Sequence, residues 1–475
     1  MPTASERSGR AQMIHAEGEI AYGLPGYSLR VLEALEDAGH ETWVVGGWVR
    51  DALRGAAPHD VDLTTSARWQ EVEGCLASAG VEVHRTGIAH GTVTAVCEGH
   101  PIEVTTYRVE GGYSDHRHPD EVRFVRDVRE DLARRDFTIN AMAYHPARGL
   151  LDPFGGRADL AGRVVRAVGE PSERFGEDAL RVLRAVRFAC RLGFEVEGRT
   201  QRALVAHAPE LADIASERIG LELAGIVRSG RAAWALEHQT EVLCQAIPEL
   251  APMAGFDQRS PYHAFDVLGH TAHVCRGVEE FTGGNASDAL RWAALLHDVA
   301  KPSCYSEDEG GRGHFFGHPK LGAQMAESIM RRLALPGELV SATRALVRLH
   351  DHAVRPTSRS IRRTLLKLER ACPDHAKPLA FDLLDLKRAD AVAKVPGVAG
   401  YAAELDQVSA ALRREIASGS AYRLKDLPVS GADVMRVTGI QPGPGVGLIL
   451  AELLSAVVND ELPNRREVLL GQIRL

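Results

Sequence analysis

The chain has 475 residues, 45% of them hydrophobic and 25% charged, and a formal net charge of −8. That length accommodates several domains with sizeable cores, and the composition is that of a globular protein rather than a disordered one. The acidic balance excludes binding to nucleic acid over the whole surface, and the lack of any run of about 18 or more apolar residues predicts no membrane-spanning helix.

The polar N-terminus, MPTASERSGRAQMIHAEGEI, has no signal-peptide core. Seven scattered cysteines without a CxxC pair fit reduced thiols better than a disulfide frame, so a cytoplasmic location is expected. Charge is uneven: Val122 to Arg191 holds 14 Arg, no Lys and 10 acidic residues, and the first Lys of the chain is Lys301. Arginine is the better forked donor for phosphate and base edges, although a GC-rich genome would give the same bias.

In chain order, residues 1–22 predict a flexible tail. The segment TWVVGG predicts a buried strand at Trp43–Val45, a turn at Gly46-Gly47 and a helix from near Val49. Adjacent glycines let a turn approach phosphate closely. Nine residues after Asp51, Asp60-Val61-Asp62-Leu63 alternates like a half-buried strand, which puts Asp60 and Asp62 on one side. A phosphate cradle beside two hard carboxylates suits a divalent metal and a nucleoside triphosphate, hence phosphoryl or nucleotidyl transfer. A helix over about Trp69–Ala79, a strand near Val81–Val83 and strands at Thr92–Val96 and Ile102–Tyr107 continue a β-rich α/β block to about Val168. Glu103 alternates with apolar Ile102 and Val104 and offers a third carboxylate. A lone DxD is usually a solvated turn. The preceding GGWVRD and the strand-borne Glu103 favour Asp60, Asp62 and Glu103 as catalytic residues, with Asp60 and Asp62 as Mg²⁺ ligands.

Arg134-Arg135-Asp136-Phe137-Thr138-Ile139-Asn140-Ala141 is a second dense motif. Arg135 suits bidentate phosphate binding and Asn140 a ribose hydroxyl, so Arg135, Asp136 and Asn140 join Gly46 and Gly47 as candidate nucleotide ligands. Taken alone, the motif also reads as a surface salt-bridge cluster. Asp152-Pro153-Phe154-Gly155-Gly156 reads as a structural turn. From Phe175 onward the pattern is helical. Asp178, Arg181, Arg184, Arg187 and Arg191 recur at spacings of three or four and so share one helix face. Four arginines against one aspartate invite an anion rather than form a balanced solvated stripe. An Asp accepts from an exocyclic amino group and an Arg donates to a ring nitrogen or carbonyl. Asp178 with Arg181 therefore suits cytosine and adenine, whereas uracil and guanine would turn a carbonyl toward the carboxylate.

These motifs, with Ser216-Glu217-Arg218, follow the order seen in class II CCA-adding enzymes, which the chain resembles from residue 23 to 475. These are tRNA nucleotidyltransferases of the polymerase-β-type superfamily, close to bacterial poly(A) polymerases. The resemblance implies an α+β fold: a mixed-sheet nucleotidyltransferase head followed by an elongated all-α body. It implies tRNA, CTP and ATP as partners, phosphate contacts from Gly47, Arg50 and Arg135, and base reading by Asp178 and Arg181 with Arg184 and Arg187. The loop from Glu110 to Pro119 resembles the family's full-length flexible loop, which favours complete CCA addition. Poly(A), CC-only and A-only addition stay open.

His270, His297-Asp298 and the distant Asp390 follow the order of HD-type metal phosphohydrolases. His and Asp suit Mn, Ni, Mg or Fe, so a divalent metal of undecided identity is expected. Lys301 completes an HDxxKP pattern, and His318 and His350 are candidates for a second metal position. A metal-free helical spacer is the alternative within the domain. For the whole chain, the alternatives from other classes are an HD phosphohydrolase with a spent head and a non-catalytic RNA-binding protein. His263, Cys190 and Cys275 read as packing residues, and Asn459–Arg466 as a solvated helix end. With breaks near Gly255–Pro261, Lys394–Gly400 and Gln441–Gly447, the expected parts are a tail (1–22), a catalytic head (23–168), a nucleotide-selecting neck (169–255), an HD domain (256–395) and a tRNA-binding tail (396–475).

Overall fold

The computed structural model describes residues 20, 22–111, 121–262, 264–394 and 400–473. Most of the loop Glu110–Pro119, His263 and nearly all of the N-terminal tail lie outside these residues. The chain divides into two compact units, Met1–Ile214 and Ala215–Leu475. The division falls inside the expected neck 169–255.

The first unit is α+β. Helix α1 (Gly26–Asp37) leads to β1 (Thr42–Val45), α2 (Gly47–Leu53), β2 (Asp62–Thr65), α3 (Trp69–Ser78), β3 (Glu82–Gly87), β4 (Thr92–Cys97) and β5 (His100–Thr106). A ribbon of β6 (Arg108–Gly111) and β7 (Glu121–Phe124) follows, then α4 (Val128–Ala133), β8 (Ala143–His145) and β9 (Gly149–Leu151). The seven-stranded sheet has the order β3-β4-β5-β2-β1-β8-β9. All its pairings are antiparallel except β2 with β5, which is parallel. Strand β1 (TWVV) is central and buried throughout, as its β-branched and aromatic content suits. Trp43, Val45, Tyr107, Val128, Leu132 and Ala143 form one of the unit's core clusters.

Helices α5 (Gly156–Ala161), α6 (Pro171–Glu177), α7 (Leu180–Leu192) and α8 (Gly198–His207) follow, with a short parallel pairing of Val164–Val165 and Glu195–Val196 among them. Gly156 is required by close approach: a Cβ there would sit 2.2 Å from the Thr138 carbonyl oxygen. Asp152 accepts the Gly156 and Arg157 N–H groups at 2.7 and 2.9 Å, so DPFGG is the structural turn expected.

Local boundaries differ from expectation in three informative places. Helix α2 begins at Gly47, because Gly46 at φ 73° makes the whole turn. Helical structure in the neck begins at Pro171, an N1 proline, ahead of Phe175. Asp178 is not on the arginine-bearing helix. It is extended (φ −144°) after α6, and its side chain accepts the Leu180 N–H at the start of α7.

The second unit is almost wholly helical. It comprises α9 (Ser216–Arg228), α10 (Ala232–His238), α11 (Thr240–Ala246), α12 (Val267–Thr282), α13 (Asp288–Leu296), α14 (His318–Arg332), α15 (Gly337–Leu349), α16 (Ser358–Ala371) and α17 (Ala376–Val392). Then come α18 (Gly400–Ala417), α19 (Gly431–Thr438), α20 (Pro444–Val458) and α21 (Arg466–Gln472). A two-residue hairpin, Ser306–Glu307 with Gly313–His314, interrupts the all-α expectation. Val434, Leu453, Leu454, Val457 and Leu469 build a C-terminal core with Leu366 of α16. The Asn459–Arg466 segment is largely exposed, as expected of a solvated helix end, and is also anchored: Asn459 accepts from Arg363 at 2.6 Å, and Asn464 donates to the Asp426 carbonyl at 3.0 Å. Among the described residues no helix is long and apolar enough to cross a membrane.

Candidate active site and metal centre

The parallel register of β2 and β5 sets Asp62 directly beside Glu103. Their apolar neighbours Leu63, Ile102 and Val104 are buried in the sheet, so alternation sends the two carboxylates to the opposite face. Asp60 lies just before the strand and is exposed, as is Glu103. Burial, then repulsion from Glu103 and Asp60, pushes the Asp62 pKa up to about 6, with Arg135 opposing. A divalent ion bound at these carboxylates would offset the repulsion that Asp62 feels.

The phosphate side of the site converges on Gly46. A Cβ at Gly46 would lie 3.5 Å from both Arg135 Nη1 and Asp62 Oδ2. Arg135 Nε is buried and makes no hydrogen bond. Burial and the neighbouring Arg134 lower the Arg135 pKa, and Asp131 opposes them. Asp131 is fully buried; it accepts from Arg134 Nε at 2.9 Å and Thr64 Oγ1 at 3.2 Å, and lies 3.7 Å from Arg135 Nη2. Sequence reading missed Asp131. Its only signal is an i,i+4 spacing to Arg135, which an ordinary surface helix would also show.

Arg50 and Asn140 are more internal than expected. Arg50 is 4% exposed; it donates to Asp51 from Nε and Nη2 at 2.9 and 2.8 Å, and from Nη1 to Asn140 Oδ1 at 2.8 Å. Asn140 Nδ2 donates to Asp136 Oδ1 at 3.2 Å, and Asp136 Oδ2 accepts from Arg184 Nε and Nη2 at 3.0 and 2.8 Å. Burial alone would raise the Asp136 pKa, but Arg184 and Asn140 outweigh it and hold the carboxyl below its usual range. Asp51, Arg50, Asn140, Asp136 and Arg184 thus form a polar relay from α2 to α7. The Arg50, Arg184 and Arg187 guanidinium groups also surround the buried Phe188 ring, at 5.4, 5.6 and 4.7 Å from its centroid.

Arg181 is anchored by its own surroundings. Its Nη1 donates to Glu177 and to the Arg174 carbonyl (3.0 Å), and its Nη2 to the Arg134 carbonyl (3.5 Å). Asp178, Arg181, Arg184 and Arg187 are all half-buried, whereas Arg191 is exposed at the far end of α7.

The histidine cluster in the second unit is built differently. Helix α12 supplies His270, the end of α13 supplies His297 and Asp298, and α17 supplies Asp390; α14 and the end of α15 supply His318 and His350. Two sets, His270–His297–Asp390 and Asp298–His318–His350, each bring three ligand atoms within 4.8 Å of one another. His297 Nε2 lies 3.1 Å from Asp298 Oδ2 but makes no hydrogen bond. His270 Nε2 lies 3.1 Å from Asp390 Oδ1 and 3.6 Å from Asp298 Oδ2. Nδ1 of His297, His318 and His350 each reaches the backbone carbonyl three residues earlier, at 2.9, 2.8 and 2.7 Å. A carbonyl only accepts, so these Nδ1 atoms carry the protons, which leaves each Nε2 lone pair available to a metal.

His318 and His350 face each other Nε2 to Nε2 at 3.2 Å, with Asp298 Oδ1 at 3.5 and 3.7 Å. Burial and His297 push the His350 pKa down to about 3. The arrangement calls for a cation between the rings, and the donor set fits a divalent metal. Lys301 Nζ, 2.7 Å from Asp298, also donates to Gln258 at 2.9 Å, and Lys394 Nζ lies 2.6 Å from Asp390. Despite burial, these cations and His297 hold the Asp298 and Asp390 pKa values well below the usual carboxylate range. Sequence reading found Lys301 but missed Gln258 and Lys394; the i,i+4 spacing of Lys394 to Asp390 was the available signal. Cys190 and Cys275 are core residues, as expected.

The Poly A polymerase head domain matches residues 42–166, the probable RNA and SrmB-binding site of polymerase A matches 193–253, the HD domain matches 262–394 and tRNA nucleotidyltransferase domain 2 matches 386–473. The chain is 33% identical over 447 residues to the CCA-adding enzyme of Lactiplantibacillus plantarum, covering 94% of this chain and 95% of that one. It is 33% identical over 442 residues to that of Geobacillus thermodenitrificans, covering 93% and 94%. Its structure resembles the crystal structure of the Bacillus stearothermophilus CCA-adding enzyme in complex with CTP, with a TM-score of 0.70, 29% identity and coverage of 94% and 96%. The chain is a nucleotidyltransferase and belongs to the CCA-adding enzyme family.

Proposed function

We propose that the chain adds CCA to the 3′ end of tRNA from CTP and ATP, releasing pyrophosphate. The observation that carries this reading is the in-register pairing of Asp62 with Glu103, beside Gly46 and Arg135, in a chain of this family. The tRNA 3′-hydroxyl attacks the α-phosphate and pyrophosphate leaves. Asp60 and Asp62 would hold Mg²⁺ with Glu103 beside them; bound there, Mg²⁺ activates the hydroxyl and neutralises the leaving group.

The remaining work belongs to the chain's own groups. Arg135, whose Nε has no partner, suits a triphosphate oxygen. The Arg50–Asn140–Asp136–Arg184 relay makes Arg50 a positioning residue that fixes α7 against the catalytic turn. Asp178 and Arg181, with Arg187 nearby, present an acceptor and a donor to the base edge and so favour C and A over U and G. We assign base selection to the neck helices (169–255), and tRNA holding to the helices beyond them, including the tail (396–475).

The test is incubation with tRNA ending at the discriminator base. CTP alone should add two residues, and CTP with ATP should add three and then stop. Long runs of A would establish poly(A) addition instead. Failure of the wild-type chain to incorporate any nucleotide, with phosphate-releasing activity that survives intact in Asp60→Ala/Asp62→Ala, would favour the HD phosphohydrolase alternative.

A second activity is supported by the fixed histidine tautomers. We propose that the HD cluster binds a divalent transition metal through His270, His297, Asp298 and Asp390, with His318 and His350 completing a second position. It would hydrolyse phosphomonoesters or 2′,3′-cyclic phosphates.

A further inference from the structure

Two cavities adjoin in the second unit. One, of 310 Å³, opens on the HD cluster and is lined by Asp298, His318, His350 and Asp390 together with His314 and Phe316. The other, of 690 Å³, lies between α14, α15 and α16 and carries Lys320, Arg344, Arg348, Lys367 and Arg370. Pro319 and Asp351 line both, so the cavities share a wall.

The larger cleft is strongly cationic. Asp351 is its one lining carboxylate against five cations. Arg344 has a loose partner, Glu327 at 3.6 Å. Lys320, Arg348 and Arg370 make no ion pair among the described residues. Lys367 Nζ lies 3.1 Å from His352 Nε2. Burial and repulsion from Arg348 and Arg363 lower the Lys367 pKa, so Lys367 sits among like charges. Several phosphates held along one cleft would relieve that repulsion. The cleft lining contains no Phe, Tyr or Trp.

The rim of the smaller cavity supplies what the cleft lacks. Phe316 is 80% exposed, and it stacks on His314 with centroids 5.3 Å apart and planes 7° from parallel. An aromatic ring held flat and open to solvent is a platform for a nucleobase. Base platform, metal-ligand cluster and phosphate cleft therefore lie in sequence.

We infer that the HD site acts on the phosphorylated end of a single-stranded oligonucleotide, with the terminal base on Phe316 and the following phosphates in the Lys320–Arg370 cleft. The inference rests on the hydrolytic reading of the HD cluster. In the reaction a water oxygen attacks phosphorus and the bond from phosphorus to the ribose oxygen breaks. That oxygen takes up a proton, and the products are an oligonucleotide hydroxyl and inorganic phosphate.

The test uses the full chain supplied with Mn²⁺. Phosphate release is compared for p-nitrophenyl phosphate, adenosine 3′- and 5′-monophosphates, and six-nucleotide RNAs carrying a 3′- or a 5′-terminal phosphate. One of the two RNAs is expected to exceed its mononucleotide at least about tenfold in kcat/KM, which also decides which end is recognised. Arg348→Gln/Lys367→Gln should cut the ratio of RNA to p-nitrophenyl phosphate turnover about tenfold. It should also flatten the salt dependence by about 1.4, or 0.7 for each lost phosphate contact. Phe316→Ala should lower RNA turnover about fivefold or more.

The inference is overturned if p-nitrophenyl phosphate is hydrolysed while neither RNA surpasses its mononucleotide, or if the double variant keeps the wild-type ratio. If no substrate is hydrolysed, the hydrolytic reading fails and the inference with it. Fluorescence anisotropy of the labelled RNAs then tests the cleft alone, where a tenfold loss of affinity in the double variant keeps it as an RNA-binding surface.

Discussion

The transferase carboxylates and the HD cluster both look made for divalent cations, yet they are built in opposite ways. Asp60 and Glu103 are exposed and Asp62 is half-buried, and burial, with repulsion from Glu103 and Asp60 added, raises the Asp62 pKa to about 6. In the HD cluster His270, His297, Asp298 and His350 are buried, and each of three histidines is locked through Nδ1 by a backbone carbonyl. Pre-organisation of this second kind lets a protein hold metal by itself. The first kind suits ions that arrive with a triphosphate, whose oxygens complete the coordination.

The largest expected effect separates function from stability at the transferase site. Asp62→Asn should lower nucleotide incorporation by about a thousandfold or more, since it removes a proposed metal ligand. It should not lower the melting temperature near neutral pH. Folded Asp62 holds its proton more tightly than the unfolded chain does, about 6 against 3.8. Its favourable contribution is therefore complete below pH 3.8 and is lost as pH rises through 6, so above that the charge opposes folding. Protons should also compete with Mg²⁺, so that its half-saturating concentration rises about tenfold for each unit below pH 6. A melting temperature well below wild type in the Asn variant would mean that Asp62 is a structural anchor.

Next in size is base choice. Asp178→Ala should raise UTP and GTP incorporation relative to CTP and ATP by roughly 10- to 100-fold, the worth of a hydrogen bond to a charged group. Unchanged selectivity would move base reading elsewhere. The smallest effect concerns Arg50. Arg50→Lys should cost about 1–3 kcal/mol of stability through loss of its bonds to Asp51 and Asn140, measured by denaturant unfolding, while the KM for CTP stays within about threefold. A selective rise in that KM would restore a direct phosphate role.

These predictions trace what the amino-acid pattern could and could not reveal. Alternation around Glu103 was enough to place its carboxylate on the open face, because a strand has only two faces. The motif order was enough to place a transferase head ahead of an HD region. The parallel pairing of β2 with β5 was not legible, since register depends on neighbours distant in sequence. Spacing alone placed Asp178 on the same helix as Arg181; the chain breaks between α6 and α7, and Asp178 serves as the turn between them. Arg50 and Asn140 read as ligands because Arg and Asn bind phosphate and ribose, and the relay that buries them requires α2 and α7 to meet. The Nδ1 bonds that lock the HD histidines lie only three residues away, but they form only because each histidine ends or begins a helix there.

The contrast between a resident metal centre and one completed by its nucleotide is tested most directly by elemental analysis of protein purified without chelator. Wild type should carry at least one transition-metal ion per chain, Asp62→Asn should keep it, and His297→Ala should lose it. Metal that is far below one per chain in wild type and unchanged in His297→Ala would contradict the account.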